Sequence, residues 1–124
     1  MEVFNRLSVE QVNELIELEK KKIIKITGET QVKTNEFVID HDANEMEGEF
    51  YLSDCQLCIH CIFVHVCGVE TIFADWGGVT TLTRSELQML EMQIERVFLK
   101  YMYLLFGEEY KKEYLARCAE IFEE

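Results

Sequence analysis

The stretch Leu57–Val66, with the sequence L-C-I-H-C-I-F-V-H-V, constrains the fold more than any other part of the chain. It is short, apolar and rich in β-branched residues, which is typical of a strand near the middle of a sheet. Strand alternation would separate its side chains, extended by one residue, into Leu57, Ile59, Cys61, Phe63, His65 and Cys67 on one face and Cys58, His60, Ile62, Val64 and Val66 on the other. Because both faces are mostly apolar, we expect both to be covered.

Short strands and turns on either side of this stretch indicate an antiparallel sheet. The predicted strands are Ile23–Thr27, Gln31–Thr34, Glu36–His41, Glu45–Leu52 and Glu70–Asp75. The predicted turns are Gly28-Glu29, Asp42-Ala43-Asn44, Ser53-Asp54 and Gly68-Val69. We expect Gln31–Thr34 to pair with Ile23–Thr27, and the product to be a meander of four or five strands.

Helical patterns lie at both ends of the chain. Ser8 and Gln11 form a capping box that begins an N-terminal helix, and Thr83 and Glu86 form a second one. The second helix should extend over residues 83–106, end at Gly107, and be followed by a helix at residues 108–122. We therefore predict one α+β domain, residues 1–124, with an N-terminal helix, an antiparallel meander of four to five strands, and two C-terminal helices packed on one face.

The long helix carries a core-facing seam at alternating spacings of three and four residues, namely Leu87, Leu90, Ile94, Val97, Tyr101 and Leu104. From Val97 to Phe106 it is apolar nearly all round. Such a segment is either wrapped on several sides or part of an oligomer interface, and we favour wrapping because one domain needs a central helix.

The chain is strongly acidic, with 24 acidic and 12 basic residues and a formal net charge of −12. This excess argues against direct binding to nucleic acid and against an anionic membrane surface, since both need cationic side chains. It favours a basic partner, although solubility alone would account for it equally well.

More than half of the excess lies in residues 29–54, which hold eight acids and one base, Lys33, for a net charge of −7. The acids predicted to bind a partner are Glu36, Asp40, Asp42, Glu45, Glu47, Glu49 and Asp54. On a strand, Glu45, Glu47 and Glu49 would share one face at intervals of roughly 6.6 Å, of the order of the distance between neighbouring phosphates along a nucleic-acid strand. The alternative is a solvated edge whose charges prevent aggregation.

The spacing of Cys55, Cys58 and Cys61, followed by Cys67, resembles a zinc or iron–sulfur run. Such ligands normally lie on turn-rich loops, whereas a strand would direct Cys58 away from the other two. We therefore favour buried thiols and predict no metal, no cofactor and no catalytic residue. The loop Trp76-Gly77-Gly78 lacks a nucleotide-binding spacing, so Trp76 is either an interface anchor or a cover for the end of the sheet.

The five cysteines and the lack of an apolar leader after Met1 favour a cytoplasmic location with reduced thiols. The chain resembles, in general character, small acidic phage proteins, including anti-CRISPR inhibitors and other DNA mimics. The resemblance consists of its size, its charge, the acidic block from Glu36 to Asp54 and the lack of an active-site motif. The resemblance implies the cytoplasm of an infected host cell, and a target such as a Cas nuclease blocked where it holds DNA.

The preferred hypothesis is accordingly a non-enzymatic inhibitor that presents an acidic hairpin to the basic groove of a nucleic-acid-binding protein. The alternative is an oligomeric structural protein that associates through Val97–Phe106, and the two agree if the inhibitor is a homodimer. A small metal-binding protein using Cys55–Cys67 comes third.

Overall fold

The computed structural model describes residues 6–64, 68–75 and 81–122. The elements are α1 (Val9–Thr27), β1 (Val32–Thr34), β2 (Val38–Asp40), β3 (Glu45–Leu52), β4 (Leu57–Val64), β5 (Gly68–Asp75) and α2 (Arg84–Phe122). The predicted α+β class is confirmed as an N-terminal helix, an antiparallel sheet of five strands and a long C-terminal helix.

Helix α1 begins at the predicted capping box, where Ser8 Oγ accepts from the Gln11 backbone N–H at 3.1 Å and the Gln11 side chain accepts from the Ser8 N–H. The strand predicted at Ile23–Thr27 is wrong, because these residues are the last turns of α1. Ile23 continues the buried stripe begun by Leu15, eight residues earlier, so helical packing overrides the strand preference of a short β-branched run. Gly28 ends the helix in the left-handed conformation, with φ 75°.

The sheet has the order β1-β3-β4-β5, and β2 also pairs with β3. Strand β1 pairs antiparallel with β3 (Val32 opposite Leu52) and not with Ile23–Thr27 as predicted. Strands β1 and β2 therefore share one edge of β3, and their registers differ by one residue, which is a bulge at residues 35–37. The turn predicted at Gly68-Val69 is also wrong, since both residues pair within β5.

Burial on the sheet is one-sided. The face that contains Met46, Phe50, Ile59 and Phe63 packs with residues of α1 and α2 in a single core cluster. Within the described residues no element covers the opposite face, so the expectation that both faces of β4 are covered is wrong. On that second face, the apolar residues of β4 lie beside charged residues of β3 and β5. The sequence of β4 alone does not reveal these neighbours.

Helix α2 begins with the predicted capping box between Thr83 and Glu86. It is a single element of 39 residues where two C-terminal helices were predicted. Gly107, the residue predicted to end the first of them, interrupts it with a kink of non-helical φ 66° and ψ −152°. Within Val97–Phe106, Phe98, Tyr101 and Met102 are buried in the core. Leu104, predicted to face the core, is 75% exposed.

Glu19 is a charged residue type placed within this core. Its side chain is fully buried, and neither carboxylate oxygen has a hydrogen-bond partner. Burial raises the pKa of the Glu19 carboxyl well above its ordinary value. The carboxylate lies near Cys61 on the inner face of β4 and raises that thiol's pKa further, after the larger effect of burial.

Gly48 lies on the inner face of β3, beside the bulge. A Cβ atom there would lie within 2.6 Å of three ring carbons of Phe37, whose ring packs against Phe50 and Phe63 with centroids 5.5 and 5.9 Å away. We expect Gly48→Ala to destabilise the protein by about 1–3 kcal/mol, measured by urea unfolding, because the ring must leave its place. The double variant with Phe37→Leu should lose less than the sum of the two single changes. Additive losses would contradict this steric explanation.

Glu19 should make stability depend on pH. The unfolded chain releases this proton near pH 4.3, whereas the folded protein keeps it to a higher pH. The free energy of unfolding should therefore fall as the pH rises from that value toward the raised folded-state pKa. Glu19→Gln removes this dependence, so its stability relative to wild type should increase steadily as the pH rises above the unfolded-state value of about 4.3. Glu17→Gln, on the exposed side of α1, is the control, and equal pH profiles for wild type and Glu19→Gln would contradict the expectation.

Candidate functional site

The uncovered side of the sheet, which we call the outer face, is defined by strand register. Its residues are Lys33, Val38, Asp40, Glu45, Glu47, Glu49, Tyr51, Cys58, His60, Ile62, Val64, Glu70, Ile72 and Ala74. On β3 and β4 they alternate with the buried positions, except that Cys58 is itself buried. Both helices pack on the other side of the sheet, so this face is available to a partner.

Glu45, Glu47 and Glu49 lie in a row along β3 on the outer face, in the alternation that their spacing predicts. Asp40 on β2 is directly opposite Glu45, and Glu70 on β5 is opposite Ile62, the β4 neighbour of Glu47. The outer face thus holds five carboxylates and one lysine. Like charges opposite each other on a sheet are destabilising, so this arrangement lowers the stability of the free protein.

Neutral donors and one histidine contact two of the three glutamates in the row, Glu47 and Glu49. Glu47 Oε2 lies 3.2 Å from His60 Nε2. Glu49 accepts from the Asn35 side-chain amide at 3.2 Å and from the Cys58 thiol at 3.1 Å. In the described parts of the chain, Lys20 forms an ion pair with Glu17 on α1, and none of Glu45, Glu47 and Glu49 is paired with a lysine or arginine. No lysine or arginine among those residues therefore neutralises the row.

The outer face also carries exposed apolar side chains beside the acids. Val38 on β2 is 60% exposed and Ile72 on β5 is 52% exposed, while Ile62 and Val64 between them are half-buried. The acidic run in the sequence does not predict that Glu70 and these apolar residues belong to the outer face. Only the strand register brings them to the same side of the sheet. Exposed apolar side chains among charged ones are common at surfaces that bind proteins.

Two of the predicted acids lie at the β2–β3 turn and one at the bulge. Asp40 Oδ1 accepts from the backbone N–H groups of Asp42 and Ala43, both at 3.1 Å, and so fixes the turn that follows β2. Asp42 is exposed in that turn, and Glu36 is exposed between β1 and β2. These acids extend the negative surface beyond the edge of β3.

Asp54 is placed apart from the others, in the turn between β3 and β4. Its Oδ2 accepts from the Thr30 N–H at 2.9 Å, and this hydrogen bond lowers the pKa of the Asp54 carboxyl. Buried Glu29 adds two hydrogen bonds between the same segments, since its carboxylate accepts from the backbone N–H groups of Asp54 and Cys55. Glu29 and Asp54 therefore tie the end of α1 to the sheet.

The described cysteines are separated by the strand. Cys61 lies in the core and Cys58 on the outer face, while Cys55 is buried in the turn before β4. Burial, and then the nearby carboxylates, raise the pKa of Cys55 to about 11 and of Cys58 to about 12. A nucleophilic thiol needs a lowered pKa, so neither is activated.

Residues 6–64, 68–75 and 81–122 contain no cluster of three or more histidine, cysteine or acidic side chains placed to hold a metal. No helix in those same ranges is both long and apolar enough to cross a bilayer. Trp76, the predicted interface anchor, lies outside the described residues, as do His65 and Cys67.

Comparison of the chain with protein-family models, curated proteins and solved structures found no significant match. The outer face is therefore the feature of this molecule from which a function can be inferred.

The bond between Cys58 and Glu49 can be tested by thiol labelling. We expect iodoacetamide to modify Cys58 slowly at neutral pH, because a thiol with a pKa of about 12 is almost entirely protonated. Burial is the larger cause of the raised pKa and persists in Glu49→Gln, whereas the contribution of the carboxylate is removed, so labelling should accelerate by up to about tenfold. Peptide mapping by mass spectrometry assigns the label. Glu47→Gln is the control, and equal rates in wild type and Glu49→Gln would contradict the bond.

Proposed function

We propose that this chain is a non-enzymatic inhibitor whose outer face occupies the basic nucleic-acid-binding groove of a protein target such as a Cas nuclease. The observation that carries the proposal is the row Glu45, Glu47 and Glu49 on an uncovered sheet face, without lysine or arginine neutralisation among the described residues.

The spacing of the row supports a phosphate-like role. Alternate residues of a strand are roughly 6.6 Å apart, so three carboxylates project in one direction at a nearly regular interval. The sheet fixes the backbone, and the bonds from His60, Asn35 and Cys58 restrict the side chains of Glu47 and Glu49 before binding. A surface that is ordered in advance loses less entropy when it binds.

The composition of the face favours a protein partner over a nucleic acid. Five carboxylates and a net charge of −12 would repel the phosphates of a nucleic acid. A groove lined with lysine and arginine would instead attract these carboxylates. Val38 and Ile72 supply apolar contacts, which phosphates lack. Their presence suits a groove whose basic residues alternate with apolar ones. Association should be fast and should weaken as salt is raised.

The test is a pull-down from bacterial lysate and from purified Cas nucleases, with the wild type beside a variant in which Glu45, Glu47 and Glu49 are changed to Gln. We expect capture of a nucleic-acid-binding protein that excess duplex DNA competes away. The triple variant should lower its affinity at least about tenfold, because three charge contacts of about 0.5–1 kcal/mol each are removed.

The control has the same change of charge on another surface, with Glu91, Glu108 and Glu109 of α2 changed to Gln. It should bind as the wild type does. Equal capture by wild type and by both triple variants, or capture that duplex DNA does not compete with, would exclude the proposed role of the outer face.

A further inference from the structure

The exposed side of α1, remote from the outer face, carries a segregated charge pattern. Glu10, Glu14 and Glu17 are exposed in its first half, and Lys21 and Lys25 in its second. At 3.6 residues per turn these five side chains, together with Leu18, lie within a stripe about 100° wide. Leu18, at the boundary between the two charges, is 42% exposed.

The basic half of this stripe forms one wall of a groove with α2. The groove has a volume of about 480 Å³ and is lined by Leu18, Lys21, Lys22, Lys25, Val97, Lys100, Tyr101 and Leu104. It therefore combines an apolar floor with a rim of four lysines, in a protein that is strongly acidic elsewhere. No carboxylate lines it, and Leu104 is the most exposed apolar side chain of α2 among those that the structure describes.

The acidic half of the stripe has the opposite charge and the same geometry. Glu10, Asn13, Glu14 and Glu17 line a shallow concavity that shares Leu18 and Lys21 with the groove. If a second α1 lay antiparallel to the first, with a two-fold axis between residues 17 and 18, Glu10 would face Lys25 of the second copy. In the same register Glu14 would face Lys21, and the two Leu18 side chains would meet beside the axis.

Within a single helix, two pairs of this pattern are unfavourable. Glu10 and Glu14 are like charges four residues apart, and so are Lys21 and Lys25, which destabilises an isolated helix. The helix dipole favours acids first and bases last, but it does not account for the exposed leucines between and beside them. The Tyr101 hydroxyl, which lies 2.6 Å from the Gln11 carbonyl oxygen, is also 3.2 Å from Glu14 Oε2 and so contacts the acidic half.

We infer that the α1–α2 face binds a second copy of this chain, forming a two-fold symmetric dimer in which α1 pairs antiparallel with α1. Each acidic half enters the lysine-rimmed groove of the other copy, and Leu18 and Leu104 are buried between them. An isologous contact of this kind closes after two subunits.

Sedimentation velocity measures this association, between about 1 μM and 1 mM, where weak interfaces dissociate. Lys21→Glu and Glu14→Lys should each weaken the dimer at least about tenfold, because each places two like-charge pairs in the symmetric interface. The double variant exchanges the charges and should restore the dimer to within about threefold of wild type. Glu14→Lys also loses the contact with Tyr101, which could unfold the variant. The pair Glu10→Lys and Lys25→Glu therefore tests the same register independently.

Lys111→Glu, in the part of α2 beyond Gly107, changes the net charge as Lys21→Glu does and should leave the dimer intact. A Leu18→Cys variant should form a disulfide between copies that peptide mapping assigns to residue 18. Three results would overturn the inference: a monomer at every concentration, a dimer unaffected by all four charge reversals, or a monomer that native mass spectrometry shows with an amphiphile bound.

Discussion

The structure depends on the packing of two helices against one side of a single sheet. Phe50 and Phe63 on the strands and Phe98 on α2 are fully buried, and the rings of Phe63 and Phe98 lie 5.1 Å apart. This aromatic contact fixes which strand positions face inward. Because side chains alternate along a strand, it also fixes which face outward. The acids of β3 share the outer face because Phe50 and its inward neighbours must share the other.

The sequence predicts the parts of this arrangement that follow from local patterns. Both capping boxes, the bounds of β3 and the common face of its three glutamates are confirmed, because each depends on a spacing of a few residues. The segment Ile23–Thr27 fails since a β-branched run of five residues fits either a strand or the end of a helix. Its conformation is decided by the core into which Ile23 packs, and that core is formed by residues distant in the sequence.

The sequence predicts how many acids residues 29–54 hold, but it predicts less well which of them share one surface. Residues 29–54 hold eight acids, yet Glu29 is buried and binds backbone N–H groups, and Asp54 is bonded to Thr30. Conversely, Glu70 joins the outer face from outside the block through the pairing of β4 with β5. Proximity in sequence gives the charge density, but strand register decides which carboxylates point in a common direction.

The two proposed surfaces lie on opposite sides of the sheet, and this separation makes them compatible. A dimer formed through α1 and α2 would leave both outer faces exposed and related by the two-fold axis. If a target offers two basic grooves at the right separation, the second face binds at a high effective concentration, and avidity exceeds the affinity of one face. If it offers one, the second face remains a free acidic surface, and dimerisation leaves the affinity per face unchanged.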